Sequence, residues 1–480
     1  MNYQKDFEGA FLFIDDIISA KTIQIDNHYL IEKAPNFKKV DRGFCVSFRT
    51  CRDVEIPKKE YPYCLGKYSF ETSHNCFTVS ENGSYISNVE TDDVNIMLSS
   101  FWSRGMDCSK DDYHWIYLSP LQQDYKIDFR DYEYYAFTFD KTSSTQMINI
   151  PLDKGNVHVG EITYHKKKYL FLDFQYACAY DEMYKTAFPT IVALGLLSGF
   201  VCLDEAYCTA YSDKGYSNPI GMRYQSLVPS FKYHYSVFTT NMHIVMNTII
   251  EKMFGTKHDC IVKTYIERLQ HQSEEIKSFP SLVLGKLIQQ FVDEEPLLRA
   301  AYMMINGSSM TLELQPSIIS VVLETITSEL EKTNNTAADN KISKNIWDNI
   351  RRRLDSIIED SKQKGEINEK WSGILKSKVQ NINSLTNKSK LTAPFKFLGY
   401  NLSKEENSAI DNRNFYLHGH IKTDMNKMDE AFDDLQYNTL MLHRLCAILL
   451  LKNAGFEGHI INNVKLYMPK RSKHAFLFLG

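Results

Sequence analysis

Two periods of apolar residues divide the chain. Alternating or β-branched runs at residues 22–26, 44–48, 134–139, 157–164 and 169–174 predict strands. The last two flank His165-Lys166-Lys167-Lys168, a charged loop of hairpin length. A β-sandwich or strongly curved sheet over roughly residues 1–180 accounts for this pattern. From 181 to 204 the period becomes helical and strongly apolar, with Gly195 and Gly199 four apart, a spacing that lets a buried helix sit close to a sheet. Residues 206–231, rich in Tyr, Ser, Gly and Pro, read as a long loop of the kind that contacts ligands or partners. Helical spacing returns at 235–254, 260–278 and 281–291, and Glu294-Glu295-Pro296 breaks the last of these.

The final part of the chain is helical throughout. Pro316 suits a first helical turn, and Ile318, Ile319, Val321, Val322, Leu323, Ile326 and Leu330 cover much of the circumference that follows, so this helix is expected at the centre of a bundle. Glu324 within it needs either a wet edge or a cation. A polar loop at 333–340 precedes helices at about 343–361 and 367–385, a further helix after Ser403, and an apolar one at 433–453. Four or five helices joined by modest loops imply an antiparallel bundle. The tail from His459, ending in Ala475-Phe476-Leu477-Phe478-Leu479-Gly480, is apolar enough to dock. The expected fold is therefore α+β: a β-rich N-terminal domain over 1–300, helical from about 181, and an all-α domain over 306–480.

One stretch carries candidate chemistry. Ser403-Lys404-Glu405-Glu406 has the S-x-x-E form of a capping box, so a helix starts near Lys404, and Gly419 is a plausible stop. That helix holds Asp411-Asn412-Arg413-Asn414-Phe415-Tyr416-Leu417-His418. With Ile410 at zero on a helical wheel, Leu417 falls at about −20°, Arg413 at about −60°, Asn414 at about +40° and His418 at about +80°. A guanidinium, an amide and an imidazole flanking an apolar stripe are costly unless paired or used. Pairing with acids and carbonyls at a helix end is one account of them.

The run R-N-x-x-x-H-G, preceded by an amphipathic helical segment and followed by one more apolar helix, resembles the motif of HEPN-domain ribonucleases. The β-rich half joined to a C-terminal helical domain looks, within that group, like the ApeA-type abortive-infection proteins of bacteria. The motif covers six residues, the helical pattern about a third of the chain, and the likeness of the N-terminal half is one of layout. The resemblance implies a HEPN-like bundle with Arg413, His418 and Asn414 as catalytic residues and a bundle acid, for which Glu324 is the candidate, supporting Arg413. It also implies a homodimer or higher even oligomer formed through the bundle. The expected activity is metal-independent cleavage of RNA, without a cofactor, in anti-phage defence. The N-terminal domain would sense a phage-derived trigger. A non-catalytic bundle that holds a nucleotide, RNA or a protein is the alternative.

Charge adds one qualification. A net charge of −4 gives no global attraction to nucleic acid. Residues 332–410 hold 15 Lys+Arg against 9 Asp+Glu, and Arg351-Arg352-Arg353 are candidate RNA-backbone contacts, although a solvated helix face has the same composition. The N-terminus has no apolar signal core and the apolar run at 190–203 is too short for a membrane span, so a cytoplasmic protein without a membrane partner is expected. Ten cysteines form no C-x-x-C pair and no histidine pair has finger spacing, which favours buried thiols over a structural zinc.

Overall fold

A computed structural model describes residues 6–21, 24–26, 36–41, 43–49, 68–80, 82–90, 93–106, 112–122, 127–140, 143–227, 235–237, 278–334, 342–383, 386–417, 428–468 and 478–479. The fold is α+β, with β-sheets in the N-terminal part and helices alone in the bundle. Two compact units result: residues 1–309 together with 454–480, and residues 310–453.

The first unit is built on an eleven-stranded antiparallel sheet. Its strands run in the spatial order Gln24–Asp26, Tyr68–Glu71, Cys76–Val79, Ser100–Ser103, Pro219–Ser226, Glu205–Tyr211, Tyr113–Pro120, Lys167–Cys178, Gly155–Tyr164, Ser143–Leu152 and Tyr135–Asp140. A second sheet of four strands, ordered Asn36–Val40, Gly43–Arg49, Asp93–Leu98 and Ser84–Glu90, shares one aromatic core with it. Phe44 lies edge-on to Tyr224 at 5.0 Å and Phe37 is 5.7 Å from Phe70. The sandwich expectation is thus met over part of the large sheet.

Helix α1 (Glu8–Ser19), which strand periodicity did not reveal, lays Ala10, Phe11, Ile14 and Ile17 on the core. Phe11 stacks on Tyr164 at 4.0 Å. Tyr169 and Phe171 face this core, whereas Leu170, Leu172 and Phe174 point to the opposite face of the sheet. There lie α2 (Tyr180–Ser198), whose Tyr180 meets Trp115 at 5.5 Å, and α3 (Ser281–Asp293). Helix α4 (Glu295–Ser308) follows directly, with Pro296 in its first turn, so the expected break falls where the sequence placed it.

Three local readings change. Residues 206–231 are not one long loop: 205–211 and 219–226 pair as a hairpin in the middle of the large sheet, and every residue of the first strand is buried. Ala206, Cys208 and Ala210 share one face and Tyr207, Thr209 and Tyr211 the other, and with both faces covered the strand shows no polar alternation. The charged loop at 165–168 shrinks to two residues, because His165 and Lys166 both take positive φ (45° and 64°) and Lys167 already pairs with Tyr164. Gly195 and Gly199 serve the end of α2 rather than its approach to the sheet. Gly199 (φ 86°) is the left-handed cap donating to the Gly195 carbonyl, and a Cβ on Gly195 would strike Val201 as the chain turns back. The close helix-to-sheet approach is made by Gly285 of α3 against the Pro151 carbonyl. The helices expected at 235–254 and 260–278 lie almost entirely outside the described residues.

The C-terminal tail belongs to this first unit, where the sequence reading carried the helical domain to residue 480. Phe456 stacks on Phe279 at 4.7 Å, the Ile461 N–H donates to the Val237 carbonyl (2.9 Å), and Ile460–Ile461 pairs with Phe478–Leu479.

The second unit comprises α5 (Gln315–Asn334), α6 (Lys344–Gln363), α7 (Glu369–Asn381), α8 (Asn387–Phe397), α9 (Lys404–Leu417) and α10 (Met428–Asn453). Helix α5 is central, packing on α8, α9 and α10 with Ile319, Val322, Leu323, Ile326 and Leu330 buried. Helices α6 and α7 pack chiefly on each other. No helix among the described residues is long and apolar enough to cross a membrane.

Candidate active site

The motif helix is anchored at its start by the capping box read from the sequence. The Ser403 N–H donates to Glu406 Oε2 (2.8 Å) and the Glu406 N–H to Ser403 Oγ (3.2 Å). Glu406 does more than cap. Its Oε1 accepts from Arg444 Nη2 on α10 (2.7 Å) and from the Tyr400 hydroxyl (2.7 Å), and the side chains of Glu406 and Arg444 are each 1% exposed. Burial alone would push the Glu406 carboxyl up; the Arg444 charge, the Ser403 N–H and the Tyr400 hydroxyl outweigh it and hold the group below the ordinary carboxylate range. This buried pair fixes α9 against α10. Sequence reasoning missed it, because Arg444 sits within an apolar helix 38 residues away.

Two turns on, α9 presents Arg413 to the central helix. Arg413 Nε donates to Glu324 Oε1 at 3.1 Å and its Nη1 to the Ile410 carbonyl at 3.3 Å. The arginine side chain is 5% exposed and that of Glu324 43%, so one wet carboxylate neutralises a buried guanidinium. The structure therefore brings together the two residues that the sequence suggested as partners. Nη2 makes no hydrogen bond among the described residues.

Asn414 is exposed and makes no hydrogen bond among the described residues. His418 and Gly419 lie outside the described residues. On the motif helix the amide that borders a cavity is instead Asn412, half-buried on the α10 side, a position that nothing in the sequence signals. Tyr416 is fixed through its backbone, whose carbonyl accepts from the Ser317 hydroxyl of α5 at 2.8 Å.

Arg351, Arg352 and Arg353 lie on α6 and make no hydrogen bond or ion pair with α9. Arg351 faces Asp355 (3.7 Å), Arg352 reaches the Asp348 carbonyl (3.2 Å), and Arg353 is exposed without a partner among the described residues. Among the described residues no group of three or more His, Cys, Asp or Glu is placed to hold a metal ion. Comparisons of the chain with protein-family models, with curated proteins and with solved structures give no match.

Proposed function

We propose that the helical bundle is an RNA endoribonuclease of the HEPN type, acting without a metal. RNA carries its own nucleophile, so the reaction needs a group to move protons and a cation for the charge that builds on the phosphorus oxygens. In this reading His418 takes the proton of the 2′-OH as that oxygen attacks the adjacent phosphorus, and a protonated imidazole returns a proton to the departing 5′-oxygen. The products are a 2′,3′-cyclic phosphate and a 5′-OH end. Arg413, oriented by Glu324, offers its Nη2 edge to a non-bridging oxygen. Asn414 contributes an exposed amide to the phosphate or the imidazole, and Arg351–Arg353 contact the RNA backbone at a distance from the reacting atoms.

Arg413 and His418 are about 140° apart on an ideal helix, so a single copy surrounds a phosphate poorly, and two copies across a twofold axis are proposed to complete the site. The layout of a β-rich unit joined to this bundle supports a setting in anti-phage abortive infection, in a cytoplasmic protein, with the first unit responding to a phage-derived trigger. The observation that supports the reading most is the Arg413–Glu324 pair at 3.1 Å beneath an R-N-x-x-x-H run. The same pair favours a second reading, a non-catalytic bundle that binds a nucleotide, RNA or protein, since Arg413 is only 5% exposed.

The test is RNA cleavage by the full chain in EDTA, with the ends mapped, beside His418→Ala and Arg413→Lys. Cyclic-phosphate ends from wild type alone uphold the nuclease. Equal RNA integrity in all three under phage challenge leaves the binding bundle.

A further inference from the structure

Arg223 is a cation without an anion. It stands in the middle of the large sheet, on the strand Pro219–Ser226, whose Met222 and Tyr224 enter the aromatic core, so that Arg223 and Gln225 face α2 on the opposite side. Its cross-strand neighbours are Trp102 and Cys208, neither of them acidic. The guanidinium carbon lies 3.9 Å from the centroid of the Tyr180 ring and 5.7 Å from that of Trp102. Among the described residues its side chain makes no hydrogen bond and no ion pair, and its Nε is buried. Aromatic faces offset part of what it costs to take a guanidinium out of water, and an anion would offset more.

A cleft of about 330 Å³ opens next to it, within the size range of small-molecule sites. One wall belongs to a ladder of rings on α2, where Tyr180, Tyr184 and Phe188 follow one another a turn apart, with centroids 6.1 and 6.4 Å apart and interplanar angles of 16° and 20°. Tyr184 and Phe188 line the cleft and are half-buried, so each keeps ring surface for a ligand. Tyr302 of α4, 5.7 Å from Phe188, supplies a second wall, and Leu203 and Leu227 add apolar surface. Gln225 Oε1 accepts from the Tyr180 hydroxyl (2.9 Å), which leaves its Nε2 as a donor without a hydrogen bond among the described residues. The Tyr184 phenol is pushed up, first by burial, with the Arg223 charge opposing, so it stays protonated and the cation is felt at the cleft wall. No Asp or Glu is among the described lining residues. The cleft thus offers flat apolar faces, hydrogen-bond donors and, two residues or about 7 Å along the strand from Gln225, a positive charge.

We propose that this cleft binds a nucleoside monophosphate, with the base against Tyr184, Phe188 and Tyr302 and the phosphate on Arg223. A base has flat faces for the rings and carbonyl or ring-nitrogen acceptors for the Gln225 amide and the Tyr184 hydroxyl. The phosphate lies one ribose away from the base, in keeping with the separation of Gln225 and Arg223, and its oxygens match the fork of the guanidinium. A nucleoside alone leaves the cation unpaired, and a sugar phosphate alone leaves the rings uncovered, so both halves are required. The site belongs to the first unit and does not depend on the nuclease reading of the bundle.

The experiment is equilibrium dialysis of the full-length protein against the four common nucleoside 5′-monophosphates, the matching nucleosides and ribose 5-phosphate. At least one monophosphate is expected to bind about tenfold or more tightly than its nucleoside and than ribose 5-phosphate. Arg223→Gln should bring that nucleotide down to the affinity of its nucleoside, and Phe188→Ala should weaken nucleotide and nucleoside together, each with an unchanged far-ultraviolet circular dichroism spectrum. Should Arg223→Gln fail to fold, Gln225→Ala and Phe188→Ala decide, each being expected to weaken nucleotide binding. Saturable binding of none of the four, equal binding of nucleotide and nucleoside, or affinity that survives these substitutions overturns the proposal. So does binding that is lost in Arg413→Ala and kept in Arg223→Gln, because it belongs to the bundle.

Discussion

Replacing Glu406 by alanine is expected to loosen the helical bundle more than any other single change on the motif helix. The carboxylate accepts three hydrogen bonds of 2.7 to 2.8 Å, from Arg444 Nη2, the Tyr400 hydroxyl and the Ser403 N–H. Glu406 and Arg444 are both 1% exposed, so water cannot replace what is lost. Removing one partner of such a pair costs about 3–5 kcal/mol, whereas replacing both by apolar residues of similar volume is roughly neutral. Hydrogen exchange of the slowest amides of α9 and α10 reads this unit without requiring the whole chain to unfold in one step. Exchange in Glu406→Ala should be faster by roughly two to four orders of magnitude, at about 1.4 kcal/mol per decade. Glu406→Leu combined with Arg444→Met should recover most of the protection. A single variant within about 1 kcal/mol of wild type, or a double variant no better than the single, would refute the argument that charge burial sets the cost. The pH dependence follows from the direction of the shift. Because the folded carboxyl is held low, its contribution is complete above the unfolded pKa and is lost as pH falls through the folded one. The stability of wild type relative to the double variant should be flat from neutral pH to about pH 5 and fall with further acidification, because only wild type carries the carboxyl.

Mixing Arg413→Ala with His418→Ala, each inactive alone, should restore about a quarter of wild-type cleavage once subunits exchange, since half the dimers are mixed and each has one intact site. No recovery in a sample shown by mass spectrometry to contain mixed dimers would reject a shared site. Glu324→Gln should lower kcat for RNA at least about tenfold with little change in KM, as expected of a positioning residue, while stability moves by only about 0–1 kcal/mol because the carboxylate is 43% exposed. A change confined to KM would place Glu324 in substrate binding instead. Gly285→Ala puts a methyl group on the Pro151 carbonyl and should cost about 1–3 kcal/mol, measured by denaturant unfolding of the first unit; an unchanged midpoint would mean that α3 can move off the strand freely.

Local signals were legible in the sequence, and signals that depend on distant partners were not. The capping box at Ser403 names both of its partners within four residues. The pairing of Glu324 with Arg413 was accessible because a carboxylate in an apolar helix and a guanidinium beside an apolar stripe each require an opposite charge. Arg444 gave no such signal, lying among leucines whose helix is legible whichever polar residue interrupts it. The hairpin at 205–226 was hidden by composition, because Tyr, Ser, Gly and Pro describe an exposed loop as well as they describe buried strands around a short turn. Helix α1 has Phe7 at its N-cap, which offers no side-chain acceptor, so nothing in the sequence marked its start. Asn412 lies off the apolar stripe centred on Ile410, on the side that faces α10, where periodicity carries no signal.

The return of residues 454–480 to the first unit makes the bundle an insertion, bracketed in the chain by one domain. Synthesis on the ribosome therefore delivers the whole of residues 310–453 before the first unit can acquire its last strands and the Phe456 stack on Phe279. The bundle is tied to its host at two points, so a single proteolytic nick on either side leaves it attached. A rearrangement of the host can pull on both ends at once, a mechanical link that a domain appended at a chain terminus lacks.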